Sequence, residues 1–191
     1  YAMQRSLVGS EMCIRDRPCS IDHTQRKVAV IETHCASLFS LKTPEEIIMT
    51  ALRLPYYSLS ASVMEPMKAA LGALENGPLD NVIIELAFLR VSQINGCAYC
   101  LDMHSKALRK MDVAQTRLDQ LAGWQVSHAY SERERAALAW AESLTLVAAT
   151  GAPDTAFEPL KAQFSDVEIS ELTFAIGLMN AFNRLAVGMR Q

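Results

Sequence analysis

Two cysteines three residues apart, Cys97 and Cys100, stand beside two side chains that can move protons. His104 follows Cys100 by four residues, and Glu85 precedes Cys97 by twelve. Positions three or four apart share one face of a helix, so the two sulfurs and the imidazole can approach one another. Imidazole can take a thiol proton and return it later, and a carboxylate can serve as a general base. The set therefore has what reversible thiol–disulfide chemistry requires.

The dithiol directly follows Asn95 and Gly96, a dipeptide that breaks helices, and so begins the next helix. Free N–H groups and the positive dipole end at a helix start lower the pKa of a thiol, and the thiolate is the nucleophile. We therefore expect an activated thiol here. A zinc half-site and inert buried cysteines are the alternatives. Structural zinc usually takes four N or S ligands, and residues 49–191 contain no second cysteine pair.

Each proton-handling candidate also has a purely structural interpretation. His104 could be a core histidine bonded to a backbone carbonyl, but its register with Cys100 favours a functional role. Glu85 lies between Ile84 and Leu86 inside an apolar helix, where a carboxylate is either paired or costly. It could equally be the polar edge of an amphipathic helix, because the geometry across the break does not follow from spacing.

Helical patterns separated by short breaks position these residues. Alternating Val, Ile and Thr runs with hairpin turns do not occur, so the predicted class is all-α. Capping residues, breakers and apolar periodicity set the expected bounds. We predict helices over Met64 to Leu74, from the Asp80 cap to about Gln93, from about Cys97 to Lys110, a short one marked by Asp112 and Gln115, from the Ser131 capping box to about Ala149, and from the Ser165 capping box to Met189.

The final helix carries polar side chains, Asn180, Asn183 and Arg184, among apolar ones. Buried amides mostly satisfy hydrogen bonds, so we expect these residues to tie helices or subunits together, with a role in shaping the site as the second interpretation. Trp124 and Trp140 are expected in the core or an interface.

Composition narrows the class of protein. The chain has 191 residues, enough for one domain with its own core, and half of them are hydrophobic. Its formal net charge is −3 and it has no basic block, which argues against a nucleic-acid partner. No uncharged apolar run approaches the ~18 residues typical of a membrane span.

The first 54 residues need separate treatment. Residues 7–16 read LVGSEMCIRD, which resembles the conceptual translation of a sequencing-library adapter, so we interpret residues 1–17 as an artefact. Residues 18–54 are an extension of uncertain origin: Met49 is a plausible natural start, whereas Thr43 and Pro44 form a credible helix start. The predicted domain is residues 55–191.

This division changes the cysteine count. Cys13, Cys19 and Cys35 all precede Met49, so Cys97 and Cys100 are the only pair in the trusted part. A lone CxxC without a signal peptide indicates a reducing compartment and a catalytic pair rather than a disulfide framework. We therefore expect a cytoplasmic protein.

The segment NGCAYCLDMHSKALRK, with Glu85 upstream, resembles the alkylhydroperoxidase D-like branch of the carboxymuconolactone decarboxylase family. The shared pattern is Glu, eleven residues, CxxC, three residues, His, and the likeness extends from about Pro55 to Arg190. The resemblance implies an all-helical fold that assembles as trimers or hexamers. It implies that Cys100 is the peroxidatic cysteine, that Cys97 resolves it, and that His104 and Glu85 form a proton relay with a water.

One position departs from the family pattern: Tyr99 stands where some members carry histidine. The resemblance implies a small hydroperoxide substrate and an external reductant, such as a dihydrolipoamide-type or thioredoxin-like protein. Nothing in the sequence requires a metal, flavin or haem cofactor. The expected function is a thiol-dependent hydroperoxide reductase. The alternatives are a decarboxylase-type lyase, which does not depend on a CxxC pair, and a non-enzymatic redox-sensing or metal-binding helical oligomer.

Overall fold

All regular structure in residues 52–191, the part of the chain that the computed structural model describes, is helical. The all-α prediction is therefore confirmed for this range. A short 3-10 turn, Leu121–Gly123, lies between the fifth and sixth α-helices. In chain order the helices are α1 (Tyr56–Leu59), α2 (Ala61–Glu75), α3 (Asn81–Asn95), α4 (Ala98–Lys110), α5 (Gln115–Gln120), α6 (Glu132–Thr145), α7 (Val147–Thr150), α8 (Asp154–Lys161) and α9 (Asp166–Met189).

Side-chain caps start the long helices where the sequence predicts them. The Asp80 carboxylate accepts the N–H of Val82 at 2.7 Å and begins α3. Ser131 and Ser165 open α6 and α9 with complete capping boxes, in which the serine hydroxyl and a glutamate three residues later each satisfy a free N–H group. Such caps each stabilise a helix by about 1 kcal/mol.

Two predicted boundaries are wrong. Asp112 does not cap a helix: it adopts a left-handed conformation (φ 58°) after α4, and α5 begins only after Ala114. The sixth helix ends at Thr145 rather than near Ala149, and α7 follows as a separate turn. Leu146 leaves the helical region (φ −101°, ψ 27°) and separates the two helices.

Two short helices were not predicted from the sequence. They are α1 and α8, and α8 contains Pro159. The proposed helix start at Thr43 and Pro44 lies outside the described residues.

Helix α3 is the centre of the fold. It packs against α9, α4 and α6, and it is buried on more than one side, as its broad apolar set predicts. One core cluster joins α3 to α2, α6, α8 and α9 and includes Trp140. A second cluster joins α3 to α4, α5 and α6 and includes Trp124. Both tryptophans are buried, as expected.

Of the helices in residues 52–191, α9 is long and apolar enough by composition to cross a membrane. Its inner face, however, packs on α3 and α6 and carries hydrogen-bonded amides, Asn180 and Asn183. Four charged residues also lie along its length, Asp166, Glu168, Glu171 and Arg184. This is the pattern of a central helix in a globular core.

Candidate active site

The break between α3 and α4 places the two cysteines. Gly96 ends α3 in the left-handed region (φ 67°), a conformation that glycine adopts without strain. The N–H groups of Gly96 and Cys97 both donate to the carbonyl of Ser92, which turns the chain sharply into α4. Cys97 is the N-cap residue of α4, and its sulfur accepts the N–H of Cys100 at 3.4 Å. The dithiol therefore lies at a helix start in this structure.

Both thiols are free and almost fully buried, with 1% of Cys97 and 2% of Cys100 exposed. They belong to one buried cluster with Ala186. Burial, together with the neighbouring Cys97, raises the pKa of the Cys100 thiol from its ordinary 9.0 to about 12. The expectation of a lowered thiol pKa is therefore wrong for Cys100, because desolvation outweighs the donors at the helix start.

His104 and Glu85 meet across the helix break. The His104 Nδ1 atom lies 2.8 Å from Glu85 Oε2, which joins α4 to α3. His104 is buried, and 14% of the Glu85 side chain is exposed. The partner of the imidazole is therefore a carboxylate and not a backbone carbonyl.

The other imidazole nitrogen, Nε2, is buried and has no hydrogen-bond partner within residues 52–191. No direct hydrogen bond joins His104 to either cysteine in this range. One nitrogen of the ring is thus oriented by an acid, while the other is free to take a proton from a group that approaches it.

A mainly apolar cavity of about 180 Å³ opens beside Cys100. Cys97 does not line it, so the two sulfurs differ in their access to a small molecule. Tyr99, the position that departs from the family pattern, lines this cavity and is 46% exposed. The other lining residues come from four helices and include Tyr56, Tyr57, Lys68, Met103 and Phe182.

Sequence reasoning missed the two tyrosines of α1. The rings of Tyr56 and Tyr57 lie 4.1 Å apart, and the Tyr56 hydroxyl donates a short hydrogen bond to the Gln191 side chain. Burial and a hydrogen bond with Tyr57 raise the pKa of the Tyr56 hydroxyl, and Cys100 is close enough to add to this effect. No spacing signal connects α1 to a cysteine more than forty residues away, so only the fold reveals this contact.

An amide network ties the helices behind the dithiol, as expected for the polar residues of α9. The Asn95 amide donates to the side-chain oxygens of Asn180 and Asn183, at 3.0 Å each. Asn180 in turn donates to the Thr145 hydroxyl at 3.2 Å, and Asn183 to the Ser92 hydroxyl at 3.2 Å. The network therefore links α3, α6 and α9 around the helix break.

The arrangement of possible metal ligands and the position of a second groove both bear on the kind of site. Within residues 52–191, no group of three or more His, Cys, Asp or Glu side chains is arranged to hold a metal ion, so the zinc alternative gains no support from the geometry. A larger groove of about 810 Å³, between α2, α8 and α9, contains neither cysteine nor His104.

A helical fold that presents a buried dithiol at a helix start, with a carboxylate–histidine pair across the preceding break, defines an alkylhydroperoxidase D-like protein. The chain belongs to the carboxymuconolactone decarboxylase family, whose model matches residues 60–143, and within it to the alkylhydroperoxidase D-like branch.

Similar proteins support this assignment. A protein of unknown function from Agrobacterium tumefaciens, described as a putative antioxidant defence protein AhpD, is 41% identical; the match covers 73% of this chain and 96% of that one, with a TM-score of 0.71. Uncharacterized protein YdfG of Bacillus subtilis is 31% identical over 137 residues, which are 72% of this chain and 93% of YdfG. Alkyl hydroperoxide reductase AhpD of Brucella anthropi is 42% identical over 48 residues, 25% of this chain and 27% of that protein.

Proposed function

We propose that this protein is a thiol-dependent peroxidase that reduces small organic hydroperoxides. The observation that carries the proposal is the placement of Cys100, which lies on a cavity and beside a second free thiol. The Glu85–His104 pair, one helical turn along α4, adds a proton acceptor. Membership of the alkylhydroperoxidase D-like branch is consistent with an antioxidant role.

The buried thiol of Cys100 requires a base, because its raised pKa keeps it protonated near neutral pH. In the proposed reaction His104 accepts the Cys100 proton, directly or through a water, and Glu85 stabilises the imidazolium that forms. The Cys100 thiolate attacks one oxygen of the peroxide ROOH. The O–O bond breaks, Cys100 becomes a sulfenic acid, and the leaving alkoxide takes a proton from the imidazolium to give ROH.

Cys97 then completes the cycle. Its thiol attacks the sulfenic acid sulfur, which forms the Cys97–Cys100 disulfide and releases water. An external dithiol, of the dihydrolipoamide type or on a thioredoxin-like protein, reduces that disulfide by exchange and is itself oxidised. A reducing compartment such as the cytoplasm and a trimeric or hexameric assembly are further parts of the proposal.

The cavity beside Cys100 suggests which peroxides fit. A cavity of about 150 Å³ in another protein admits benzene, and the cavity here measures about 180 Å³ with a mainly apolar lining. We therefore expect tert-butyl and cumene hydroperoxide to be better substrates than hydrogen peroxide, which is too polar and small to use the lining.

Peroxide consumption with dihydrolipoamide as reductant tests the proposal. Cys100→Ser should abolish turnover, and Cys97→Ser should allow one oxidation of Cys100 to a sulfenic acid, trapped with dimedone, without cycling. A matched control replaces Cys13, Cys19 and Cys35 together with serine, and this variant should keep full activity.

Normal turnover by Cys100→Ser would refute the mechanism. Absence of peroxide consumption by the fully reduced wild type, with decarboxylation of a muconolactone instead, would favour the lyase alternative.

A further inference from the structure

The two cysteine sulfurs differ in what can reach them. Only 1% of Cys97 and 2% of Cys100 are exposed, so access to either sulfur depends on a cavity. Cys100 lines the cavity of about 180 Å³, and Cys97 does not. The groove between α2, α8 and α9 and another groove between α3, α4 and α5 contain neither cysteine. A small molecule that enters the cavity beside the dithiol therefore meets the Cys100 sulfur.

The sulfurs also differ in how well each can carry a negative charge. Cys97 is the N-cap residue of α4, and its sulfur accepts the N–H of Cys100 at 3.4 Å. Free N–H groups and the positive dipole end favour an anion at such a position. Cys100 lies inside the first turn of α4, where burial raises the pKa of its thiol to about 12. Of the two, Cys97 is the better placed to leave as a thiolate.

Both differences govern how a Cys97–Cys100 disulfide exchanges with an external thiol. The attacking thiolate must reach one of the two sulfurs, and the bond breaks faster when the departing thiol has the lower pKa. Attack at Cys100 meets both conditions, because the cavity leads to that sulfur and Cys97 departs at the helix start. Attack at Cys97 would need a route outside this cavity and would make the buried Cys100 the leaving group.

We propose that reduction of the disulfide begins at Cys100: the thiolate of the reductant enters the cavity and bonds to the Cys100 sulfur, and Cys97 is the leaving group. The bond between the two cysteines breaks, and Cys97 departs with the electron pair and takes the proton that the reductant lost. A second thiol of the reductant then attacks the reductant sulfur of the mixed disulfide. Cys100 leaves and takes the second proton, so the reductant is oxidised and both cysteines are again thiols.

This inference deepens the proposed function and rests on it for the source of the disulfide. It gives Cys97 two tasks in one cycle. Cys97 attacks the sulfenic acid of Cys100 in the oxidative half, and it departs from Cys100 in the reductive half. Both the peroxide and the reductant then use the same cavity and the same sulfur.

Protein oxidised without a peroxide tests the inference. Full-length protein with serine at positions 13, 19 and 35 is oxidised with diamide, which couples two thiols into a disulfide. It is mixed with 2-mercaptoethanol, quenched with acid at short times and digested with pepsin. Fragment masses between the two cysteines show which of them carries the adduct. Since access and leaving group both favour attack at Cys100, its adduct should exceed that of Cys97 by about tenfold or more.

Met103 and Met111 supply a matched pair of variants that does not depend on trapping the adduct. Both are 40% exposed, but Met103 lines the cavity and Met111 does not. Met103→Trp narrows the cavity and should slow reduction of the disulfide by about fivefold or more, because exchange depends on access to the attacked sulfur. Met111→Trp should leave the rate unchanged. Circular dichroism checks folding, and Met103→Phe replaces Met103→Trp if that variant does not fold.

An adduct mainly on Cys97, or shared equally by the two cysteines, would overturn the assignment, as would equal reduction rates in the two methionine variants. The outcome is separable from the proposed function. An adduct on Cys100 in a protein that consumes no peroxide would refute the peroxidase and leave the order of reduction standing, whereas an active peroxidase with its adduct on Cys97 would do the reverse. Failure of diamide to join the two sulfurs would overturn both.

Discussion

Replacing Glu85 by glutamine removes a negative charge but keeps an oxygen that can still accept the Nδ1–H of His104. The ring should keep its orientation, because the amide oxygen can occupy the place that Glu85 Oε2 holds at 2.8 Å. In the proposed mechanism, what is lost is the attraction between a carboxylate and the imidazolium that forms when Cys100 gives up its proton. Two unit charges 4 Å apart interact by about 4 kcal/mol at an effective dielectric constant of 20. Since each 1.36 kcal/mol is tenfold in rate, Cys100 oxidation should slow by about 10²- to 10³-fold.

The assay for this prediction is the first turnover of Cys97→Ser protein with cumene hydroperoxide, quenched and analysed for Cys100 sulfenic acid. Glu142→Gln is the matched control, because Glu142 is also a partly buried carboxylate in an ion pair, with Arg90 at 2.7 Å, but it contacts no residue of the site. It should lower stability and leave the oxidation rate of the folded protein unchanged. An oxidation rate within threefold of the parent in Glu85→Gln would show that the carboxylate does not assist proton removal.

Three further predictions concern the thiol and the helices. The folded-state pKa of Cys100 is raised to about 12, so the neutral thiol favours folding below its ordinary pKa of 9.0, and this stability is lost as the pH rises from about 9 toward 12. The free energy of urea unfolding of wild type should therefore fall more between pH 8 and pH 10.5 than that of Cys100→Ser. Parallel curves for the two proteins would contradict this prediction. Ser165→Ala removes the cap of α9 and should cost about 1 kcal/mol in urea unfolding, whereas Ser165→Asp should retain most of the stability. Leu172→Ala empties a fully buried position in the main core and should cost about 2–5 kcal/mol by the same measurement, with exposed Val167→Ala as the control.

Local chemistry determines which helix boundaries can be predicted from the sequence. The starts of α3, α6 and α9 are predictable because a side chain beside the start satisfies the free N–H groups, and that interaction depends only on residues within one turn. The end of α6 is not, because apolar residues continue past Thr145 and the C-cap position is a leucine rather than the glycine that often marks a helix end. Asp112 misled the prediction because aspartate suits both a helix cap and a left-handed turn.

The candidate site likewise contains residues whose positions depend on local sequence and residues whose positions depend on packing between helices. The positions of Cys97, Cys100 and His104 follow from one helix and its start, so spacing is enough to predict them. Contact between Glu85 and His104 depends on the angle between α3 and α4, which the left-handed Gly96 sets and which sequence alone leaves open. The tyrosines of α1 reach the cavity beside Cys100 only through packing of distant helices.

The burial of Cys100 bears on when the proposed peroxidase reaction can begin. A cation beside the Cys100 sulfur would keep it permanently in the thiolate form. Within residues 52–191 no Lys or Arg side chain is bonded to that sulfur, and burial keeps the thiol neutral near pH 7. A neutral thiol is protected from adventitious oxidants, because the thiolate is the reactive form. In the proposed mechanism, ionisation coincides with the presence of a peroxide in the cavity, when His104 takes the proton and Glu85 stabilises the imidazolium. Under that proposal, the site combines low reactivity at rest with selectivity for a peroxide that fits the cavity.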